Sequence, residues 1–164
     1  MTHVFIAGLF RSAGHNFVGR FGREPGTHPM EQLESARVKA GRGIEGDRFM
    51  DHAEGYKGQV TFFSLETHRE VCGALGTSVE PWAWRRNVVV EGVDLNAWIG
   101  RRFEVDGVGF EGVEECRPCA WMDRVAGAGA EALLRGRGGL RARVLSDGLL
   151  KVGPAGWGAR DRDR

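Results

Sequence analysis

Residues 102–121 read Arg102-Phe103-Glu104-Val105-Asp106-Gly107-Val108-Gly109-Phe110-Glu111-Gly112-Val113-Glu114-Glu115-Cys116-Arg117-Pro118-Cys119-Ala120-Trp121. Polar and apolar residues alternate from Arg102 to Asp106, the period of a half-buried strand. Asp106-Gly107 is a hairpin signal, because tight two-residue turns need positive φ. The return strand begins with Val108 and Phe110, and Gly112 interrupts it as a β-bulge does. The alternation then ends in a Cys-x-x-Cys pair, and a helical pattern runs from Trp121 to Ala126. The stretch therefore predicts a hairpin that delivers two cysteines to a strand-to-helix junction.

Outward from this hairpin the chain is strand-rich. Val4 to Phe10 reads as a first strand, Leu33 to Ala40 as a second, Gln59 to Phe63 as a third and Val88 to Val90 as a buried fourth. Leu140–Leu145 and Leu149–Val152 are expected to form a last hairpin across Ser146-Asp147-Gly148. Helices are few. Ser64 is placed as an N-cap with Glu66 in the first turn, Leu65, His68, Cys72 and Leu75 fall at helical spacing, and Gly76 stops the helix. Cys72 and His68 are thereby expected on a buried helix face. A second short helix is expected from Ala130 to Arg135. Arg11 to Met30 is rich in Gly, His and Pro and reads as a long loop.

Strands and helices do not alternate, which argues against a doubly wound parallel sheet. The expected architecture is mainly β, a closed or nearly closed β-barrel with a few short helices. The 26 glycines in 164 residues, against a usual ~7%, fit a fold with many turns and bulges. One domain over residues 1–153 is expected, with a flexible tail at 154–164, where glycine and charge dominate.

The net charge of +1 gives no ground for nucleic-acid binding. No run approaches the ~18 apolar residues of a membrane span. Three cysteines without a secretory signal read as reduced thiols in a cytoplasmic protein.

Two segments carry further chemistry. Gly41-Arg42-Gly43-Ile44-Glu45-Gly46-Asp47-Arg48-Phe49 is a glycine-rich turn with charges that can hold an oxyanion, although its spacing fits neither a Walker loop nor a dinucleotide fingerprint. Arg85-Arg86-Asn87 precedes the valine strand beside Trp82 and Trp84. In a regular strand adjacent residues face opposite ways, so at most one of Arg85 and Arg86 is expected in a given pocket. At the cysteine pair, a zinc site lacks two further ligands and a thioredoxin-like pair lacks its βαβ context. Arg117 and a helix N-terminus both favour a thiolate there.

Several segments together resemble the MOSC domain, found at the C-terminus of molybdenum cofactor sulfurases and as small stand-alone bacterial proteins. They are Gly43-Ile44-Glu45-Gly46-Asp47-Arg48, Arg86-Asn87-Val88-Val89-Val90, Gly92-Val93-Asp94-Leu95, Ile99-Gly100, Cys116-Arg117-Pro118-Cys119, and Gly139 to Val144 with Asp147-Gly148. The resemblance covers about residues 40–153 and implies a β-barrel with a basic pocket. It makes Cys119, which follows Pro118, the catalytic and molybdenum-ligating or persulfide-carrying sulfur. Arg48, Arg86, Asn87 and Arg117 become the expected cofactor-binding residues, drawn with Arg42 and Arg85 from a larger set of candidate phosphate-binding arginines. Cys116 becomes an accessory thiol able to resolve a persulfide or sulfenate on Cys119. Phe49 stands where many members carry histidine.

The implied cofactor is molybdenum cofactor, a molybdopterin. Pyridoxal phosphate is not expected, because the sulfurase domain that binds it has no counterpart among these 164 residues. The implied activity is redox or oxo-transfer chemistry, including reduction of N-hydroxylated compounds, with an electron-transfer partner. The alternatives are a sulfur carrier served by a cysteine desulfurase and a non-enzymatic pterin- or anion-binding module.

Overall fold

A computed structural model describes residues 1–16 and 27–162. Seven strands close into a barrel in the order β11-β7-β8-β9-β5-β6-β1, with β11 pairing back onto β1. They are β1 (Thr2–Arg11), β5 (Val60–Ser64), β6 (Val88–Glu91), β7 (Arg102–Val105), β8 (Val108–Glu115), β9 (Leu140–Val144) and β11 (Gly153–Ala159). Short β2 (Glu31–Leu33) extends β1 outside the closed ring, and β10 (Gly148–Lys151), β3 (Ser35–Lys39) and β4 (Gly43–Ile44) form a small second sheet. The expected β-barrel is thus closed. Among the described residues only β5 and β6 pair in parallel, so the chain between them must cross over, through α1 (Leu65–Leu75) and a 3-10 turn at Pro81–Trp84.

Adjacent Phe62 and Phe63 divide the core by strand pleat. Phe62 points into the barrel, where it meets Phe103, Phe110 and Trp157; Phe103 and Trp157 stack at 4.6 Å. Phe63 points outward into a second cluster with Val71, Cys72, Trp84, Met122 and Leu134. That cluster seats α1, α2 (Ala120–Ala126) and α3 (Ala130–Leu134) on the barrel wall. Cys72 is a core residue, as its helical spacing predicts. The Ser64 cap is present, its hydroxyl accepting from the Thr67 N–H at 3.2 Å, and Gly76 ends α1 at φ 64°. The Asp106-Gly107 turn forms with both residues at positive φ, and the β8–β9 register shifts between Gly112 and Glu114, the bulge read from Gly112.

Three expectations are corrected. Leu140–Leu145 and Leu149–Val152 are not a hairpin: β9 pairs β5 and β8, whereas β10 pairs β3. Ser146-Asp147-Gly148 instead carries the chain from the barrel to the second sheet, where the Asp147 carboxylate accepts from the Ala40 N–H at 2.8 Å. Residues 154–159, expected within a flexible tail, belong to β11 and close the barrel between β1 and β7. The inward side chains of that strand, Ala155 and Trp157, are buried and supply the reason. The long loop read over Arg11 to Met30 begins one residue later, since Arg11 ends β1; residues 27–30 are irregular up to β2 at Glu31, as read, and 17–26 lie outside the described residues. Among the described residues no helix is long and apolar enough to cross a membrane.

Candidate functional site

β1 and β8 end, and β6 and β9 begin, at one rim of the barrel, as the pairings Leu9↔Val88 and Glu115↔Leu140 require. The loops leaving this rim meet around a cavity of about 330 Å³, within the low end of the range for small-molecule sites. Its lining includes Arg48, Arg85, Arg86, Arg117 and Arg141, both Cys116 and Cys119, and the aromatic residues Phe49, Tyr56, Trp84 and Trp121.

The cysteine loop is held from below. Arg86 donates to the carbonyls of Gly138 (2.9 Å), Trp84 (3.2 Å), Cys116 (3.1 Å) and Arg117 (3.4 Å). Gly138 is required at this contact. A Cβ there would lie 2.3 Å from the Cys116 carbonyl oxygen and meet Pro118. Cys116 is buried at the end of β8, and its N–H donates to Gly139 at 2.8 Å. Cys119 is half-buried and occupies the N-cap of α2, the strand-to-helix junction predicted for it.

The thiolate expectation needs correction. Burial pushes the Cys119 thiol up, while the Trp121 backbone N–H and the Arg86 charge pull it down less strongly. The cation acting on Cys119 is therefore Arg86 rather than Arg117.

Both arginines of the Arg85-Arg86 pair line the cavity, contrary to the strand-pleat expectation. Arg85 is not in a strand. It caps the Pro81–Trp84 turn in the left-handed region (φ 61°), which breaks the alternation that would separate the two side chains. Burial and neighbouring Arg48 bring the Arg85 guanidinium down to about 10.

Arg48 donates to Asp47 at 3.1 Å and to the Arg85 carbonyl at 3.1 Å, and lies 4.4 Å over the Phe49 ring. Its side chain is 6% exposed, yet its Nε has no hydrogen-bond partner among the described residues. Burial lowers the Arg48 pKa against the pull of Asp47. Arg141, absent from the sequence-derived set, pairs with Glu114 at 3.2 Å and lies over Tyr56. Its only sequence signal is an outward position in the alternating strand Leu140–Val144.

Asn87 is placed differently from the expectation. It is fully buried and is not among the residues lining the cavity. Its amide oxygen accepts from the Thr61 N–H and hydroxyl, both at 3.0 Å, and its NH2 donates to the Phe10 carbonyl at 3.1 Å. It bolts β1, β5 and β6 together beneath the site. Arg42 also lies elsewhere, in an exposed two-pronged pair with Asp51 at 2.8 and 2.7 Å.

The charge balance gives the cavity its character. Asp47 and Glu114 partner Arg48 and Arg141. Arg85 and Arg86 donate to neutral oxygens only, and the Arg117 side chain makes no hydrogen bond or ion pair among the described residues. Arg85, Arg86 and Arg117 thus bring three guanidinium charges to the cavity with no ion-paired carboxylate among the described residues, an arrangement that attracts anions. Among the described residues no three His, Cys, Asp or Glu side chains cluster as a metal site, so a metal here would rely on one or two sulfurs and on ligands it brings.

A match to the MOSC domain family spans residues 49–155, and the chain belongs to that family. Solved structures share the fold. The YuaD protein from Bacillus subtilis superposes with a TM-score of 0.75 at 18% identity, over 98% of both chains. YiiM from Geobacillus stearothermophilus gives 0.69 at 13% identity, over 97% of this chain and 76% of that one. YiiM from Escherichia coli gives 0.64 at 15% identity, over 98% and 71%. No match is found among curated proteins.

Proposed function

We propose that this protein binds molybdenum cofactor in the rim cavity and carries out redox or oxo-transfer chemistry there. One observation carries the reading: a half-buried thiol and three guanidinium groups without carboxylate partners line the same cavity. A soft sulfur suits molybdenum, and guanidinium groups suit the phosphate that ends a pterin cofactor. The buried, unpartnered Nε of Arg48 is a further donor that such a group would satisfy.

Cys119 Sγ would be the protein ligand to the metal. Arg117, which makes no side-chain hydrogen bond or ion pair among the described residues, and Arg86 and Arg48 behind it would hold the phosphate. When bound, the cofactor supplies a redox-active metal able to exchange an oxygen atom with a substrate. The chain itself fixes the cysteine loop through Arg86, keeps Cys119 in a half-buried setting, and walls the cavity with Trp84, Trp121 and Phe49. N-hydroxylated compounds are the first substrates to assay, with a separate electron-transfer protein as reductant.

A second reading is favoured by Cys116, which lines the same cavity as Cys119. In it Cys119 accepts sulfane sulfur from a cysteine desulfurase and Cys116 releases it as hydrosulfide, leaving a Cys116–Cys119 disulfide.

Protein purified from a host that makes the cofactor separates the two. The first reading expects molybdenum and pterin near one per chain, both lost in Cys119→Ser. Absence of both in the wild type, together with a sulfane-sulfur mass adduct on Cys119 after incubation with a desulfurase, would replace it with the second.

A further inference from the structure

The segment that follows β1, Ser12 to Asn16, is held at the rim by the charged side chains of Asp47 and Arg85. Asp47 accepts from the Ser12 N–H at 3.0 Å, and the Ser12 carbonyl accepts from the Arg48 N–H at 2.8 Å. Arg85 donates to the Ser12 hydroxyl (3.0 Å), the Gly14 carbonyl (2.7 Å) and the His28 carbonyl (2.8 Å). These contacts present one side chain to the cavity, His15. Its ring meets Phe49 edge-on at 4.9 Å, and its nitrogens make no hydrogen bond among the described residues. It is the one histidine lining the cavity among the described residues.

We propose that His15 is the proton-exchanging side chain of the cavity and that Arg85 is its positioning residue rather than an anion ligand. This rests on the reading of the cavity as an anion site. The three side-chain bonds of Arg85 all end on the 12–16 loop or on His28, which packs against Gly14. An anion among Arg48, Arg86 and Arg117 therefore lies beside an imidazole whose nitrogens make no hydrogen bond among the described residues and can take or give a proton.

The groups facing His15 are Arg48 and Asp47 from the turn after β4, Arg85 from the turn before β6, and His52, whose ring is 6.4 Å away. Partial burial and the neighbouring Arg48, His52 and Arg85 lower its pKa, and Asp47 opposes them less strongly. The free protein thus favours the neutral imidazole at His15 more than an isolated histidine does. A bound dianion reverses this balance, and by linkage a proton on His15 tightens the anion.

Sulfate tests this, because it does not itself titrate between pH 5.5 and 8. In the full chain, sulfate binding followed by NMR of the histidine rings is expected to weaken by roughly tenfold from pH 5.5 to 8, a typical coupling. The His15 pKa should rise when sulfate is bound. In His15→Gln the dependence should flatten, while His52→Gln keeps it. Sulfate binding with the same pH slope in wild type and His15→Gln overturns the role of His15 and leaves the anion site standing. No sulfate binding even at pH 5.5 overturns both.

A ligand-free arm tests Arg85. Arg85→Lys keeps a charge but not the three-way fork, so the NOE between the His15 and Phe49 rings should disappear. Its persistence removes the positioning role.

Discussion

The Arg86 guanidinium holds the carbonyl of Cys116 at 3.1 Å, and through it the loop that carries both cysteines of the cavity. A lysine in its place offers one ammonium, which cannot span carbonyls contributed by Gly138, Trp84, Cys116 and Arg117. Arg86→Lys should leave two or three buried carbonyls unpartnered, at about 1–3 kcal/mol each before relaxation. The urea midpoint should fall by an amount equivalent to about 2–4 kcal/mol. Alkylation of buried Cys116 should accelerate more than that of half-buried Cys119. Equal acceleration of both thiols would mean that Arg86 does not fasten this loop.

Acid should act behind Trp84, the neighbouring residue of the same wall. Trp84 donates its indole N–H to His68 Nδ1 at 2.8 Å, so His68 must keep that nitrogen unprotonated. Burial lowers the His68 pKa, with Glu80 opposing. The unfolded chain therefore takes up the proton first, near pH 6.5. Stability from this group is complete above that pH and is lost as pH falls from about 6.5 toward the lowered native value. His15 adds the same sign, to a smaller extent because it is exposed. Thermal midpoints measured from pH 7.5 to 5 should decline, and His68→Gln should reduce the slope at some cost in stability. A flat profile would contradict the Trp84–His68 bond.

Two residues of the sequence reading should separate stability from binding. Asn87→Ala strips partners from the buried Thr61 N–H and Phe10 carbonyl, and about 2–4 kcal/mol of stability should go with them. Cys72→Ser places a hydroxyl among Val71, Trp84 and Leu134 and should cost about 1–3 kcal/mol. Sulfate affinity per folded molecule should be unchanged in both. A loss of affinity in folded Asn87→Ala would return that residue to the site.

The barrel was legible where a strand announces itself locally. The valine run of β6, the aromatic run of β5 and the Asp106-Gly107 hairpin each follow from period and turn chemistry alone. β11 was not legible, because Gly153-Pro154-Ala155-Gly156-Trp157-Gly158-Ala159 has low strand propensity and becomes a strand between β1 and β7. The site divides the same way. Cys119 at a strand-to-helix junction could be read from pattern. Arg85 and Arg86 could not be placed on one side, since the left-handed residue between turn and strand has no signature when it is an arginine. His15 and Arg141 reach the cavity by convergence of segments distant in sequence, about which local pattern is silent.

The two cysteines, equivalent in a Cys-x-x-Cys spacing, should differ in solution. Cys119 is half-buried with a thiol pushed up by burial, whereas Cys116 is buried outright. Thiolate is the reacting form, so Cys119 should alkylate slowly at pH 7.5 and faster as pH rises through and beyond 9. Cys116 should lag at every pH, because access limits it. Bound molybdenum cofactor, ligated by the Cys119 sulfur, should protect that thiol at pH 9 and leave the slow reaction of Cys116 little changed. Mild oxidation of cofactor-free protein offers the complementary check. A loss of 2 Da with both thiols blocked to alkylation is expected if Cys116 can reach Cys119 (about 2 Da is the mass of the two thiol hydrogens removed). Stepwise gain of oxygen on Cys119 alone would instead leave Cys116 without a resolving role and remove the support for the sulfur-carrier reading.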